Sequence, residues 1–115
     1  MADLQPTQIV GTGIINSLVT ENIKTSSHTL SLNDRDRVVA MNNTSGETVT
    51  VPNDSVVNFP IGSIVYINRI NSGSVTLAAG NGVTLRGLLS SQLSSLQELG
   101  LRKRAANDWI ALIVV

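Results

Sequence analysis

From His28 onward the chain alternates apolar and polar positions in short runs separated by Gly, Asn, Ser, Asp and Pro, the period of half-buried strands. "HTLSL" places Leu30 and Leu32 on one face, and "RVVAMNN" follows the turn "NDRD". "TVTVP" follows "NTSGE", and Pro52 and Pro60 bracket the loop "PNDSVVNFP", since proline lacks a ladder donor and belongs at strand ends or turns. "GSIVYINRI" is the longest run; Asn71-Ser72-Gly73 then turns into "SVTLAA". "LGLRKRA" and "DWIALIVV", joined around Ala106-Asn107, close the series. About eight short strands at this spacing predict an all-β fold, a compact antiparallel β-sandwich or a jelly-roll-like barrel.

The glycine-rich "AAGNGVTLRG" poses a choice between a phosphate cradle and a bend. A phosphate loop opens a helix, whose free N–H groups meet the anion. Here Val83-Thr84-Leu85-Arg86 alternates as a strand, with Thr76 and Thr84 facing away from Val75, Leu77, Val83 and Leu85. Asn-Gly between two such runs is the signal of a type I′ hairpin, which is the expectation here.

Two runs, "SIVYI" and "WIALIVV", are apolar on both faces, which a chain of 115 residues cannot hide alone. They predict a covering subunit. Residues 1–25 differ: apolar pairs Ile9-Val10, Ile14-Ile15 and Leu18-Val19 are separated by Gly11 and Gly13. They read as an extended N-terminal arm ahead of a β-domain over 26–115; a first strand of that domain is the alternative. In "GLLSSQLSSLQELG", Leu89, Leu93 and Leu96 are spaced by four and three, so Leu88–Leu99 reads as a short helix closed by Gly100, or as a leucine-rich loop docked on the sheet or a neighbour.

Composition sharpens the picture. The apolar mass is Val, Ile and Leu, with one Trp, one Tyr and one Phe. Net charge is zero, so no global field draws nucleic acid or anionic lipid. No apolar run approaches the roughly 20 residues of a membrane helix. The first residues lack the basic start of a signal peptide, so the chain is expected to be made and kept in a cytoplasm until it is built into something. With no cysteine there is neither disulfide nor thiolate chemistry.

Candidate chemistry is sparse. His28, the one histidine, has only Ser26 and Ser27 nearby and reads as a strand-edge residue rather than part of a triad. Asp34 and Asp36 alternate with Arg35 and Arg37, which suits a solvated turn better than a calcium loop. In Arg102-Lys103-Arg104 the lysine faces opposite to the two arginines, and Asp108 and Glu98 are candidate partners for the latter. No aromatic residue stands beside this run to stack on bases. Trp109, opening an apolar strand, reads as core or interface. No catalytic, cofactor or metal site is expected, and no enzyme.

The order of these pieces resembles a small β-domain common in phage virion proteins. The matching segments are Thr48–Pro52, Pro60–Ser63, Gly73–Thr76, Gly80–Thr84 and Asn107–Trp109, within a match over roughly residues 28 to 114. The resemblance implies an all-β, generally trimeric domain of tail-fibre ends and other virion surface parts, with no catalytic residues to carry over. In long fibres the domain stands behind a stalk; here only the short arm precedes it, which favours coating a particle.

The expectation is therefore a phage capsid cement or decoration protein, a homotrimer on the outer capsid surface that bridges major capsid subunits. Ile9, Val10, Ile14, Ile15 and Leu18 of the arm would make the capsid or subunit contact. The alternative is a receptor-binding tail fibre or tip holding a host surface glycan, with Tyr66 and Trp109 as contacts and Phe59 as a third aromatic candidate. Neither reading calls for nucleic acid or membrane as a partner.

Overall fold

A computed structural model describes residues 20–89 and 93–114. Nine strands occur there: β1 (Glu21–Lys24), β2 (His28–Thr29), β3 (Val38–Met41), β4 (Glu47–Val51), β5 (Ile64–Arg69), β6 (Val75–Ala79), β7 (Thr84–Arg86), β8 (Glu98–Ala105) and β9 (Asp108–Val114). One short 3-10 turn, Leu32–Asp34, joins β2 to β3. The all-β expectation holds.

The chain winds between two sheets. Six strands form one in the order β1-β3-β5-β8-β9-β7, and three form the other in the order β2-β4-β6. Successive strands up to β6 alternate between sheets, so β3 stacks on β1 and β5 on β3, while β4 stacks on β2 and β6 on β4. All these pairings are parallel. The antiparallel expectation is corrected accordingly: five of the seven pairings are parallel, and only β5–β8 and β8–β9 are antiparallel.

From β3 to β5 and from β4 to β6 the step is the same in both sheets. Val38 lies beside Tyr66 and Val49 beside Leu77, each 28 residues further along the chain, the offset that also separates Asn53 from Asn81. Asn53 Nδ2 donates to the Asn81 carbonyl at 2.7 Å, and Asn71 Nδ2 donates to Asn42 Oδ1 at 2.9 Å, so asparagines tie the corners as well as the strands.

This winding also corrects the hairpin. Gly80-Asn81-Gly82 is a turn, closed by Val83 N–H donating to the Gly80 carbonyl at 3.0 Å, but it sends the chain from β6 to β7 in the other sheet. Gly82 has φ +76° while Asn81 is not among the residues with positive φ, the pattern of a type II rather than a type I′ turn. Gly80 is demanded by proximity: a Cβ there would stand 2.7 Å from the Val51 carbonyl of the coil beneath.

One hydrophobic cluster draws on both sheets: Val39, Met41, Val65, Ile67, Leu99, Leu101 and Trp109 from the larger, Val49, Val51, Val75 and Leu77 from the smaller. Alternation puts these side chains inward and Thr48, Thr50 and Thr76 outward, as the sequence predicts. Phe59 packs edge-on against Trp109, centroids 5.2 Å apart, a geometry worth about 0.5–1.5 kcal/mol beyond area burial.

Three further expectations change. Residues 21–24, assigned to the arm, form β1 on β3, so the sheet begins before residue 25. Leu30 is buried but Leu32 is exposed, because the chain leaves β2 at Thr29 and turns. Gly100 does not close a helix; it lies within β8, while Leu96 is buried and Leu88 and Leu93 pack on the core, the docked-loop alternative.

Candidate functional site

With its inner face committed to the core, the six-stranded sheet has a second face made by the intervening residues. Register places them in rows across the strands. One row runs Glu21–Val38–Tyr66–Gly100 across β1, β3, β5 and β8, with Glu21 at the sheet edge. On one side of it lies Ile23–Ala40–Asn68–Glu98, and on the other Ile64–Arg102–Ile110–Arg86. The centre is apolar and the charges stand at the margins, the anatomy of an interface with a polar rim. Ile23 is 57% exposed and Leu112 47%. This is the outer side of the strands whose apolar character on both faces predicts a covering subunit.

Tyr66 lies across Gly100: a Cβ on that glycine would meet the tyrosine ring at 3.3 Å and Leu112 Cβ at 3.5 Å. The ring fills the notch left by the missing side chain and keeps the row level. Burial first, and then the negative charge of Asp36, push the Tyr66 phenol above its ordinary range, so it stays a neutral donor at physiological pH. Leu112 projects where β9 carries an irregularity opposite Gly100/Leu101, which tilts it outward.

The rim is partly self-neutralised. Asp108 accepts from Arg86 Nε at 2.8 Å and from Arg104 Nη1 at 2.6 Å. The Arg86 hydrogen bond, assisted by Arg104 and opposed by desolvation, holds the Asp108 carboxyl below the usual carboxylate range. Arg104 thus takes the partner the sequence offered it. Glu98 and Arg102 make no ion pair among the described residues.

The other polar constellations are spent on the scaffold. Lys103 is 1% exposed and points inward, opposite to Arg102 and Arg104 as alternation requires. Its ammonium donates to Asp54 Oδ1 at 2.8 Å, Asn58 Oδ1 at 3.2 Å and the Phe59 carbonyl at 2.7 Å, using all three donors. These groups line a recess of about 440 Å³ bounded also by Pro60, Ile61 and Ala106. With every Nζ hydrogen already donated, the lysine fastens the 52–60 loop to β8 instead of reaching into the recess.

Asp34 corrects the solvated-turn expectation. It is 1% exposed and accepts from Asn22 Nδ2 at 2.9 Å and from the Ser31 N–H at 2.9 Å, while His28 Nε2 lies 2.7 Å from its Oδ2. Burial raises its pKa, but the hydrogen bonds from Ser31, Asn22 and His28 outweigh burial and hold it below the ordinary 3.8. No periodicity in "LNDRDR" marks Asp34 as inward; the signal was the capping-box spacing Ser31–Asp34, which ties the carboxylate to the turn. Ser27 Oγ donates to Glu47 Oε1 at 2.7 Å and so belongs to a strand-end clasp, not to His28.

Of the aromatic glycan candidates, Trp109 and Phe59 are buried in the core and offer no face to a sugar, while Tyr66 stands half-buried on the outer sheet face. Ile9, Val10, Ile14, Ile15 and Leu18 of the arm lie outside the described residues. Among the described residues there is no group of His, Asp and Glu suited to a metal ion, and no helix long and apolar enough to cross a membrane. No family model, no curated protein and no solved structure matches the chain.

Proposed function

We propose that this chain is a structural protein of a phage virion that works by adhesion, a decoration protein lying on the outer capsid surface and bridging neighbouring major capsid subunits. The observation that carries the reading is the outward apolar face of the six-stranded sheet, which a chain held in an assembly covers and a free chain leaves in water. The virion setting rests on the resemblance carried by Thr48–Pro52, Gly80–Thr84 and Asn107–Trp109, and the homotrimer is the assembly that resemblance implies. The arm residues Ile9, Val10, Ile14, Ile15 and Leu18 supply further apolar area, and three chains acting together multiply a weak single contact.

Immunogold electron microscopy of purified particles, with an antibody to this chain, tests the reading. Label over the head in many copies is the expected result. Label confined to the tail end transfers the protein to the receptor-binding alternative, in which Tyr66 is the aromatic left to meet a glycan. A chain lacking residues 1–18 should stay folded and lose capsid binding; full binding by the truncated chain removes the arm from the account.

A further inference from the structure

We infer that the outer face of the six-stranded sheet pairs with the same face of a second copy about a two-fold axis running along the Tyr66–Gly100 row. The inference rests on the reading above only in that this face is covered in the assembly; it names what covers it.

The argument is the charge pattern. On β8, Glu98 and Arg102 stand two residues to either side of Gly100, on the outer face, exposed and without ion-pair partners among the described residues. Four residues of strand put them about 13 Å apart. A two-fold axis along the row through Gly100 and Tyr66 reverses the strand direction while leaving each strand above its own copy. Glu98 then lies over the partner's Arg102, and Arg102 over the partner's Glu98. One operation satisfies both unpaired charges twice, which is the self-complementarity an isologous contact requires. The same operation sets Val38, Tyr66 and Leu112 against their own images at the centre, and leaves Glu21 facing its own image at the β1 edge of the row, where it stays in the solvated rim.

The shape agrees. Tyr66 levels the row by covering Gly100, so a second sheet can approach to the usual distance of about 10 Å. Six strands at about 4.8 Å spacing give a face roughly 24 Å wide, and some 20 Å of strand length brings the buried area to about 1,000 Å² for both copies. That is the low end for a specific interface, so pairing depends on concentration and gains from repetition on a surface. If the chain also trimerises through another surface, the two-fold contact links trimers; otherwise it makes a dimer.

Sedimentation equilibrium of the full chain over a wide concentration range decides the matter. The expected mass climbs to an even number of chains, two or six, and the association weakens as salt rises. Glu98→Arg and Arg102→Glu should each weaken it tenfold or more with the urea midpoint unchanged, and the double variant should restore it. An odd number of chains at all concentrations overturns the pairing. So does indifference to both single reversals, or a double variant as weak as either one. Salt indifference of the native chain does the same without any variant. Head labelling with an odd stoichiometry sinks the pairing alone; even stoichiometry without virion label sinks the decoration reading alone.

Discussion

Asp54 and Asn107, 53 residues apart, hold each other by reciprocal hydrogen bonds: the Asp54 N–H donates to Asn107 Oδ1 at 2.8 Å, and the Asn107 N–H donates to Asp54 Oδ2 at 3.1 Å. The Asn107 carbonyl then accepts from Thr84 N–H at 2.9 Å, and Lys103 takes the other Asp54 oxygen. Loop 52–60, the β8–β9 turn and the start of β7 thus meet at one asparagine.

Asn107 adopts φ +52°, where asparagine costs little and most residues are strained. Asn107→Ala loses the acceptor for the Asp54 N–H and adds backbone strain, an expected loss of about 2–3 kcal/mol in urea unfolding. Asn107→Gly keeps the backbone relaxed and should lose only about 1 kcal/mol. Equal losses would mean that the turn conformation contributes nothing.

Lys103→Met keeps length and removes the charge. The Asp54 carboxylate, Asn58 Oδ1 and the Phe59 carbonyl then lose their common donor, and the expected loss is about 3 kcal/mol by chemical denaturation. Stability within about 0.5 kcal/mol of the native chain would show that packing replaces the ammonium at no cost.

Asp34 makes stability depend on acid. Its pKa is lower folded than its ordinary 3.8, so the unfolded chain binds the proton more readily. The stabilisation is complete above that ordinary value and is lost as pH falls through it towards the lower folded value. Asp34→Asn should be less stable at neutral pH and show a shallower decline between about pH 5 and pH 2. Asp108 and Glu47, also lowered, contribute equally to both proteins, so the difference between the two curves isolates Asp34. Parallel curves would exclude it as an acid-sensitive group.

Gly73 and Gly46 predict opposite tolerances. A Cβ on Gly73 would stand 2.6 Å from the Asn43 carbonyl oxygen and 2.9 Å from its carbon, which are backbone and cannot swing away. On Gly46 the close neighbour is Ser74 Oγ at 2.7 Å, which can rotate. Gly73→Ala should cost about 1–3 kcal/mol and lower the thermal midpoint, while Gly46→Ala stays within about 1 kcal/mol of the native chain. A mild Gly73→Ala would mean that the coils separate easily at that corner.

Strand positions, inward and outward faces, the inward turn of Lys103 and the burial of Trp109 were legible, because each follows from period-two alternation and side-chain area. Strand partnership was not. Turn chemistry at Gly80-Asn81-Gly82 reports a local reversal and is silent on whether the next strand joins the same sheet. A signal was present: Asn43, Thr48 and Asn53 return as Asn71, Thr76 and Asn81, the 28-residue spacing of stacked coils. The outer apolar face could be expected from "SIVYI" and "WIALIVV", but the row that Gly100 shares with Tyr66 could not, since it exists only once β5 and β8 are in register. The burial of Asp34 was not legible, because a carboxylate opening the alternating run Asp34-Arg35-Asp36-Arg37 looks solvated until the Ser31 turn folds it inward.

Parallel stacking of successive coils in both sheets makes the molecule a spiral rather than a closed ring. A barrel fixes its strand number when it closes, but here each coil needs only the one beneath it. One more 28-residue coil inserted between β4 and β5 would leave every side chain facing as before and lengthen the body by about 4.8 Å. Height is therefore a variable of this architecture, adjustable in whole coils provided that the added coil brings its own copy of the 52–60 loop to Lys103 and Asn107.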